Sequence, residues 1–298
     1  MYNYKILHCI TNRLFYNICD LQFIHAKKMK LKGIIFDVDG TIADTEEYHR
    51  LAFNLAFEEF KLDWYWTPKD YHELLYISGG KERFRYCLTQ DIALKASLKD
   101  EEQFILDLHK CKSEHYRNFI HNGAIQARPG IKRLIAEALN HGIQLAIATS
   151  SSTANFLTLA EQIFEQNPKE IFKPIVTSDQ IVNKKPSPMV YKCALAGMGL
   201  VAEECIAIED TAAGNRAAIN AGLNTIITTH TYTIDNNFDG AAIVVNHLGE
   251  QDQPFEILND NKCDKSFIDI ELLQSITTDK QASNHHKAYE SEDAIIAK

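Results

Sequence analysis

Gly33-Ile34-Ile35-Phe36-Asp37-Val38-Asp39-Gly40-Thr41 decides the reading of this chain. A short apolar run flows straight into two aspartates and a glycine, the pattern of a buried parallel strand that delivers a carboxylate pair to a turn at its C-terminal edge. Open α/β sheets bind their ligands at that edge. Asp37 ends the apolar run and Asp39 lies two positions on, so both reach one mouth while Gly40 lets the backbone turn sharply. A hard divalent cation fits such a pair. Taken alone the string also suits a solvated acidic turn before a helix, and the apolar strand ahead of it argues against that.

Downstream of Ala127 apolar strands alternate with helical patterns, which predicts a Rossmann-like α/β fold, a parallel sheet with helices on both faces. Strands are predicted at Gln144–Ala148, Ile175–Val176, Cys205–Ile208, Asn224–Ile227 and Ile243–Val245, and helices near Thr153–Phe164, Pro188–Ala196 and Ala212–Ala221. Between the first strand and this region the chain is helical in pattern. Thr45 or Asp44 caps a helix with Tyr48, Leu51, Ala52, Leu55 and Ala56 on one face, Pro68 starts another, Gly79-Gly80 interrupts, and helical runs follow around Phe84 to Leu94 and Phe104 to Ile120. The predicted organisation is a core of residues 29–44 and 124–248, an all-helical cap of residues 45–123, and a segment 249–298 whose tail from Thr277 is polar and mobile.

Three more strand ends carry chemistry. Ala148-Thr149-Ser150-Ser151-Ser152 places hydroxyls and amides where a strand opens into a helix, a nest suited to phosphate. Asn183-Lys184-Lys185-Pro186-Ser187-Pro188 pins a lysine ahead of a Pro-x-Pro turn, although most lysine pairs are merely solvated. Ile208-Glu209-Asp210-Thr211 brings two acids to the end of a buried strand, which is costly unless a cation offsets their repulsion.

Asp37-Val38-Asp39-Gly40-Thr41 resembles the first motif of the haloacid dehalogenase superfamily of phosphotransferases, and the other three stretches resemble its remaining motifs in the same order. The resemblance implies that Asp37 attacks phosphorus to form an aspartyl-phosphate, and that Asp39 protonates the leaving alkoxide and then activates water. It places Thr149, with the adjacent Ser150 amide, on the phosphoryl group. Lys185, rather than Lys184, neutralises the nucleophile and the transferring oxygens. Asp37, the Asp39 main-chain carbonyl, Asp210 and nearby Glu209 then hold Mg²⁺ with phosphate and water. Met189 stands where relatives usually carry an acid.

Specificity falls to the cap, which can close over the nucleophile. Glu46, His49 and Arg50 lie on the helix leaving the site, and Ser78-Gly79-Gly80-Lys81-Glu82-Arg83 offers flexible amides and the cations Lys81 and Arg83, a mould for a second phosphate. An ordinary exposed charge is the alternative for each residue singly. Across residues 30 to 250 the wording, including Ser78 to Arg83 and Arg128-Pro129-Gly130-Ile131, resembles the CbbY type, phosphatases of xylulose 1,5-bisphosphate. A β-phosphoglucomutase-like enzyme shares the four motifs and a histidine at the spacing of His49, and a non-catalytic sugar-phosphate sensor is the reading from another class.

The size and composition agree with a two-domain globular chain: 298 residues, 45% hydrophobic and 24% charged. A formal net charge of -9 opposes a general nucleic-acid or anionic-membrane surface; the resemblance implies a small phosphorylated sugar as the partner, and a monomer is the expected state. Cys9, Cys19, Cys87, Cys111, Cys193, Cys205 and Cys263 are scattered, odd in number and never paired as CxxC, which reads as reduced thiols in a cytoplasmic compartment. Residues 1–28 carry Lys5, Arg13, Lys27 and Lys28 but no transmembrane or secretory pattern; they read as an extension ahead of a working start at Met29, with a basic organellar presequence as the alternative.

Overall fold

The computed structural model describes residues 31–77, 79–259 and 263–277. The expectations for residues 1–28, Met29 and Ser78, and for the tail beyond Thr277, lie outside them. The sheet is six-stranded with order β3-β2-β1-β4-β5-β6: β1 (Gly33–Phe36), β2 (Gln144–Ala148), β3 (Ile175–Val176), β4 (Cys205–Glu209), β5 (Asn224–Thr228) and β6 (Ile243–Val245). Every neighbouring pair is parallel. The chain steps outward from β1 to β2 and β3 on one side and to β4 through β6 on the other, so the order reverses between β1 and β4 and the crevice opens at their carboxyl ends. Asp37 follows β1 directly, and Glu209 closes β4. The predicted strand over Cys205–Ile208 is thus one residue longer, which puts this acid inside the ladder, paired in register with Ile227.

Period-two alternation explains both layers. Ile34 and Phe36 face a large cluster containing Leu134, Ile135, Leu145, Ile147, Phe156 and Phe172, whereas Ile35 faces a second cluster with Ala146, Ala148, Ala207, Tyr191 and Ala217. Helices α6 (Ile131–Asn140), α7 (Thr153–Phe164), α8 (Pro168–Ile171), α9 (Met189–Met198) and α10 (Ala212–Asn220), with a 3-10 turn at Ala202–Glu204, pack around the sheet, and residues 270–277 are helical as well; α8 was not predicted. Beyond Gly249, where the sequence pattern weakens, Phe255, Ile268, Ile270 and Leu273 are buried in the first cluster.

Between β1 and β2 the described residues form helices only: α1 (Glu46–Glu59), α2 (Pro68–Leu74), α3 (Gly80–Gln90), α4 (Ile92–Ser97) and α5 (Glu101–His121). A third cluster, rich in aromatics, holds them together through Phe53, Phe57, Trp66, Tyr71 and Phe84. The single helical run predicted around Phe84 to Leu94 is divided at Asp91, whose carboxylate caps α4 by accepting from the Leu94 amide at 2.9 Å and also accepts from the Trp64 indole at 3.0 Å. At the start of α1 the N-cap is Thr45, but its hydroxyl turns away from the helix and donates to Asp39. No helix among the described residues is long and apolar enough to cross a membrane.

Candidate active site

The turn after β1 is built around Gly40. Its φ of +83° is a left-handed conformation, and a Cβ there would collide with the Asp210 carboxylate and lie 2.7 Å from His230 Nε2, so glycine is required twice over. Arg128 knits the surrounding loops by donating to the carbonyls of Gly40, Thr228, Thr229 and Asn246. The carboxyl ends of β1, β5 and β6 are thereby held at one mouth.

Asp37, Lys185, Glu209 and Asp210 meet there, all buried. Lys185 Nζ donates to Asp37 Oδ1 at 2.5 Å and to Glu209 Oε1, and Glu209 also accepts from the Tyr191 hydroxyl at 2.6 Å and from the Asp210 amide at 3.1 Å. Burial, reinforced by repulsion from Glu209 and Asp210, pushes the Asp37 carboxyl well above its ordinary range despite the lysine. Asp210 is likewise pushed up by burial and Glu209, to about 6, although His230 donates to it at 2.9 Å and works the other way. Lys185, against its burial, is held protonated above the ordinary lysine value by Asp37 and Glu209. Oxygens of Asp37, Glu209 and Asp210 lie within 4.8 Å of one another. Three buried carboxylates, two of them held back from ionising, form a donor set of hard oxygens suited to a divalent cation, which would favour the charged form of Asp37 and Asp210.

Asp39 occupies a different environment, two residues along. Its Oδ1 accepts from Thr45 Oγ1 at 2.7 Å and from His49 Nε2 at 3.1 Å, and its Oδ2 accepts from Ser151 Oγ. Burial opposes its charge, but His49, Ser151 and Thr45 outweigh that and hold the carboxyl well below the usual range. His49 Nδ1 lies 2.7 Å from Lys112 Nζ, and the ring stacks on Tyr116 at 4.0 Å between centroids. Burial and the Lys112 charge push His49 down, so a neutral ring accepting from Lys112 and donating to Asp39 satisfies every atom. Lys112 is itself lowered to about 7, chiefly by burial, and lies 4.7 Å from the Phe53 ring centroid. Two aspartates of one turn thus have pKa values driven apart, the pattern of an acid/base assignment.

The other sequence-predicted residues divide. Thr149 is buried at the end of β2 with its hydroxyl accepting from the Ser151 amide at 3.0 Å, and Thr149, Ser150, Lys184 and Lys185 line one small cavity. Gly79, at φ +104°, begins α3 so close to the core that a Cβ would lie 2.5 Å from Lys184 Nζ, and Lys184 pairs with Glu82 at 3.2 Å. Lys184 therefore faces the cap while Lys185 faces the carboxylates. Arg50 is not brought to this cluster: its guanidinium donates to Glu47 and, at 2.8 Å, to the Trp66 carbonyl, since a buried cation must satisfy its donors locally. Arg83 holds the turn before Gly79 through the Leu74 and Ile77 carbonyls and donates to the Tyr71 hydroxyl, which in turn donates to Glu46 at 2.8 Å. Both arginines shape the cap.

Sequence reasoning missed Ser151, Lys112, Tyr116, Tyr191, His230 and Tyr232. Ser151 stood within the serine run already singled out. The others sit one to several elements away from any motif, where no local pattern marks them. Tyr232, in the loop after β5, packs on Tyr71 at 5.7 Å between centroids and donates to Glu47 at 2.7 Å, so this loop also joins core to cap.

Comparison with known proteins places these features in a family. Residues 34–228 match the model of the haloacid dehalogenase-like hydrolases. Protein CbbY of Rhodobacter capsulatus is 42% identical over 213 residues, 72% of this chain and 92% of the relative. A crystal structure of a CbbY variant from Rhodobacter sphaeroides in complex with xylulose-(1,5)bisphosphate superposes with a TM-score of 0.67 at 39% identity, covering 73% of this chain and 94% of that one. The β-phosphoglucomutase of Bacillus subtilis is 29% identical over 194 residues, 65% of this chain and 81% of the relative. The chain belongs to the haloacid dehalogenase-like hydrolases, among which it is a phosphatase.

Proposed function

We propose that the chain is a Mg²⁺-dependent sugar-bisphosphate phosphatase that works through an aspartyl-phosphate on Asp37, with xylulose 1,5-bisphosphate as its substrate. The observation that carries this reading is the division of labour within one turn: Asp37 against Lys185 and the acids, Asp39 against His49. Asp37, the Asp39 carbonyl and Asp210, with Glu209 beside them, would hold Mg²⁺, which when bound neutralises phosphoryl charge and keeps Asp37 ionised.

Lys185 holds the Asp37 carboxylate in place and presents its charge to the phosphoryl oxygens, while the Thr149 hydroxyl and the Ser150 amide receive the same group. Asp37 attacks phosphorus as the sugar oxygen leaves and takes a proton from Asp39; the Asp39 carboxylate then withdraws a proton from the water that hydrolyses the acyl phosphate. Because Asp39 is ionised when bound to His49, it must gain its proton before the first step. Lys112 and His49 form a hydrogen-bonded chain ending on it.

At the other end of the substrate, Gly79, Gly80 and Lys81 receive the second phosphate at the start of α3, where amides converge. The enzyme is read as a monomer, and the scattered thiols support a cytoplasmic one. The test is phosphate release from a panel of sugar mono- and bisphosphates, with and without Mg²⁺. A Mg²⁺-dependent preference for xylulose 1,5-bisphosphate is expected. Feeble release throughout, with β-glucose 1-phosphate converted to the 6-phosphate, would overturn the phosphatase assignment in favour of a mutase.

A further inference from the structure

The cap helices carry a second group of metal-binding side chains that the phosphatase chemistry does not use. Glu59 ends α1, and Cys111 and His115, four residues apart on α5, share one face of that helix. One ligand atom from each lies within 4.8 Å of the others, and His115 Nε2 is 3.0 Å from Glu59 Oε2. We propose that Glu59, Cys111 and His115 form a cation site on the cap for a borderline or soft divalent ion of the Zn²⁺ class.

Donor chemistry separates this site from the catalytic one. The carboxylates of Asp37, Glu209 and Asp210 are all hard oxygens, whereas a thiol, an imidazole and a carboxylate are the ligand types that zinc selects. Zinc bonds to these donors place neighbouring ligand atoms roughly 3.3–3.6 Å apart at a tetrahedral angle, so small rotamer adjustments close the shell. Burial is graded as access requires: Cys111 is buried, His115 half-buried and Glu59 exposed, leaving the fourth position to water. Burial and the carboxylates of Glu59 and Glu114 push the Cys111 thiol up to about 12, so the metal-free site holds a neutral thiol. Binding breaks the S–H bond, forms the metal–sulfur bond and releases one proton to solvent; thiolate and carboxylate then balance the dication.

The site's consequence is mechanical. Cys111 and His115 are the immediate neighbours of Lys112 and Tyr116, which lie about 100° further round α5 and touch His49. An ion bridging Glu59 to α5 would staple together the two helices that position His49.

The experiment uses the full chain in saturating Mg²⁺ with Co²⁺ as the probe. One equivalent should bind with a thiolate-to-cobalt charge-transfer band, a signature the all-oxygen catalytic site cannot produce, and Zn²⁺ should bleach it. Cys111→Ser should abolish the band. His115→Gln and Glu59→Gln, which alter a half-buried and an exposed position, should weaken Co²⁺ binding by roughly tenfold or more while leaving phosphate release in Mg²⁺ unchanged. Absence of the band in the native chain, its persistence in Cys111→Ser, or full affinity in both glutamine variants would each overturn the proposal.

Discussion

Lys112→Met tests the chain of groups behind Asp39, because it has opposite expected effects on stability and on rate. The ammonium is buried against Phe53 and Tyr116 and held to about 7, far below its ordinary value of 10.5. Well below pH 7 both the folded and the unfolded lysine are protonated, and the folded state bears the full cost of the buried charge, about 5 kcal/mol, of which about 4 kcal/mol remains at pH 7. As pH rises above 7 the folded lysine loses its proton while the unfolded one keeps it, so the cost shrinks and is nearly gone near 10.5. Methionine removes that cost at any pH. It also removes the hydrogen bond to His49 and the contact with two rings, together about 2 kcal/mol. The variant should therefore be about 2 kcal/mol more stable than the native chain near pH 7 and about 1 kcal/mol less stable near pH 10. Its kcat should fall by roughly ten- to a hundredfold, since His49 loses the donor behind it. Urea unfolding of both proteins across this range, at one Mg²⁺ concentration, gives the stability difference. A difference that does not change with pH would refute the buried ammonium, and an unchanged kcat would remove Lys112 from the proton chain.

Asp37→Asn should abolish turnover without loss of melting temperature, because burial and two acids already oppose the charge it removes; residual turnover by the pure variant would dismiss the nucleophile assignment. Lys185→Met leaves Glu209 and Asp37 facing each other uncompensated and should cost about 3–5 kcal/mol in metal-free buffer, with much of that recovered on adding Mg²⁺ as measured by thermal unfolding. Lys81→Ala should raise KM for a bisphosphate far more than for a small generic ester, and equal effects would count against a second-phosphate role. For Asp39, whose folded carboxyl lies below its unfolded range, the stabilisation is complete above the unfolded value and disappears as pH falls toward the folded one; Asp39→Asn should flatten that acid limb.

How much of this was legible in the sequence depends on whether the cause is local. The strands β1, β2, β4 and β5 and the carboxylates at their ends are written as apolar runs meeting acids and hydroxyls, and they lie where that pattern put them. Lys112 is invisible by the same logic: it sits on α5 as one cation among several charged residues, and only the packing of α1 against α5 turns it inward to His49. Arg50 is the converse. Its place one turn after Glu46 predicted a ligand, but Glu47 and the Trp66 carbonyl satisfy it first. His230 and Tyr191 depend on contacts spanning 20 and 18 residues, each from a separate element. Phe255 and Ile268 enter the core from irregular backbone, which can bury apolar side chains without a period, and Ile270 and Leu273 from a helix at 270–277 too short for its period to stand out in the sequence.

The consecutive lysines offer a way to tie alignment at the proposed nucleophile to closure of the cap. Lys185 reaches back to Asp37 and Glu209, while Lys184 reaches forward to Glu82, three residues after the left-handed Gly79. One turn of chain therefore touches the proposed nucleophile at one end and the proposed second-phosphate mould at the other. A bisphosphate can complete both ends, and binding energy from the phosphate that does not react becomes available to hold the cap shut and Asp39 in contact with His49. A monophosphate leaves the cap end unmade. On this reading, discrimination between the two arises in the rate of the chemical step as well as in binding, because the groups that would bind the remote phosphate are joined through Glu82 and Lys184 to those that would align phosphorus.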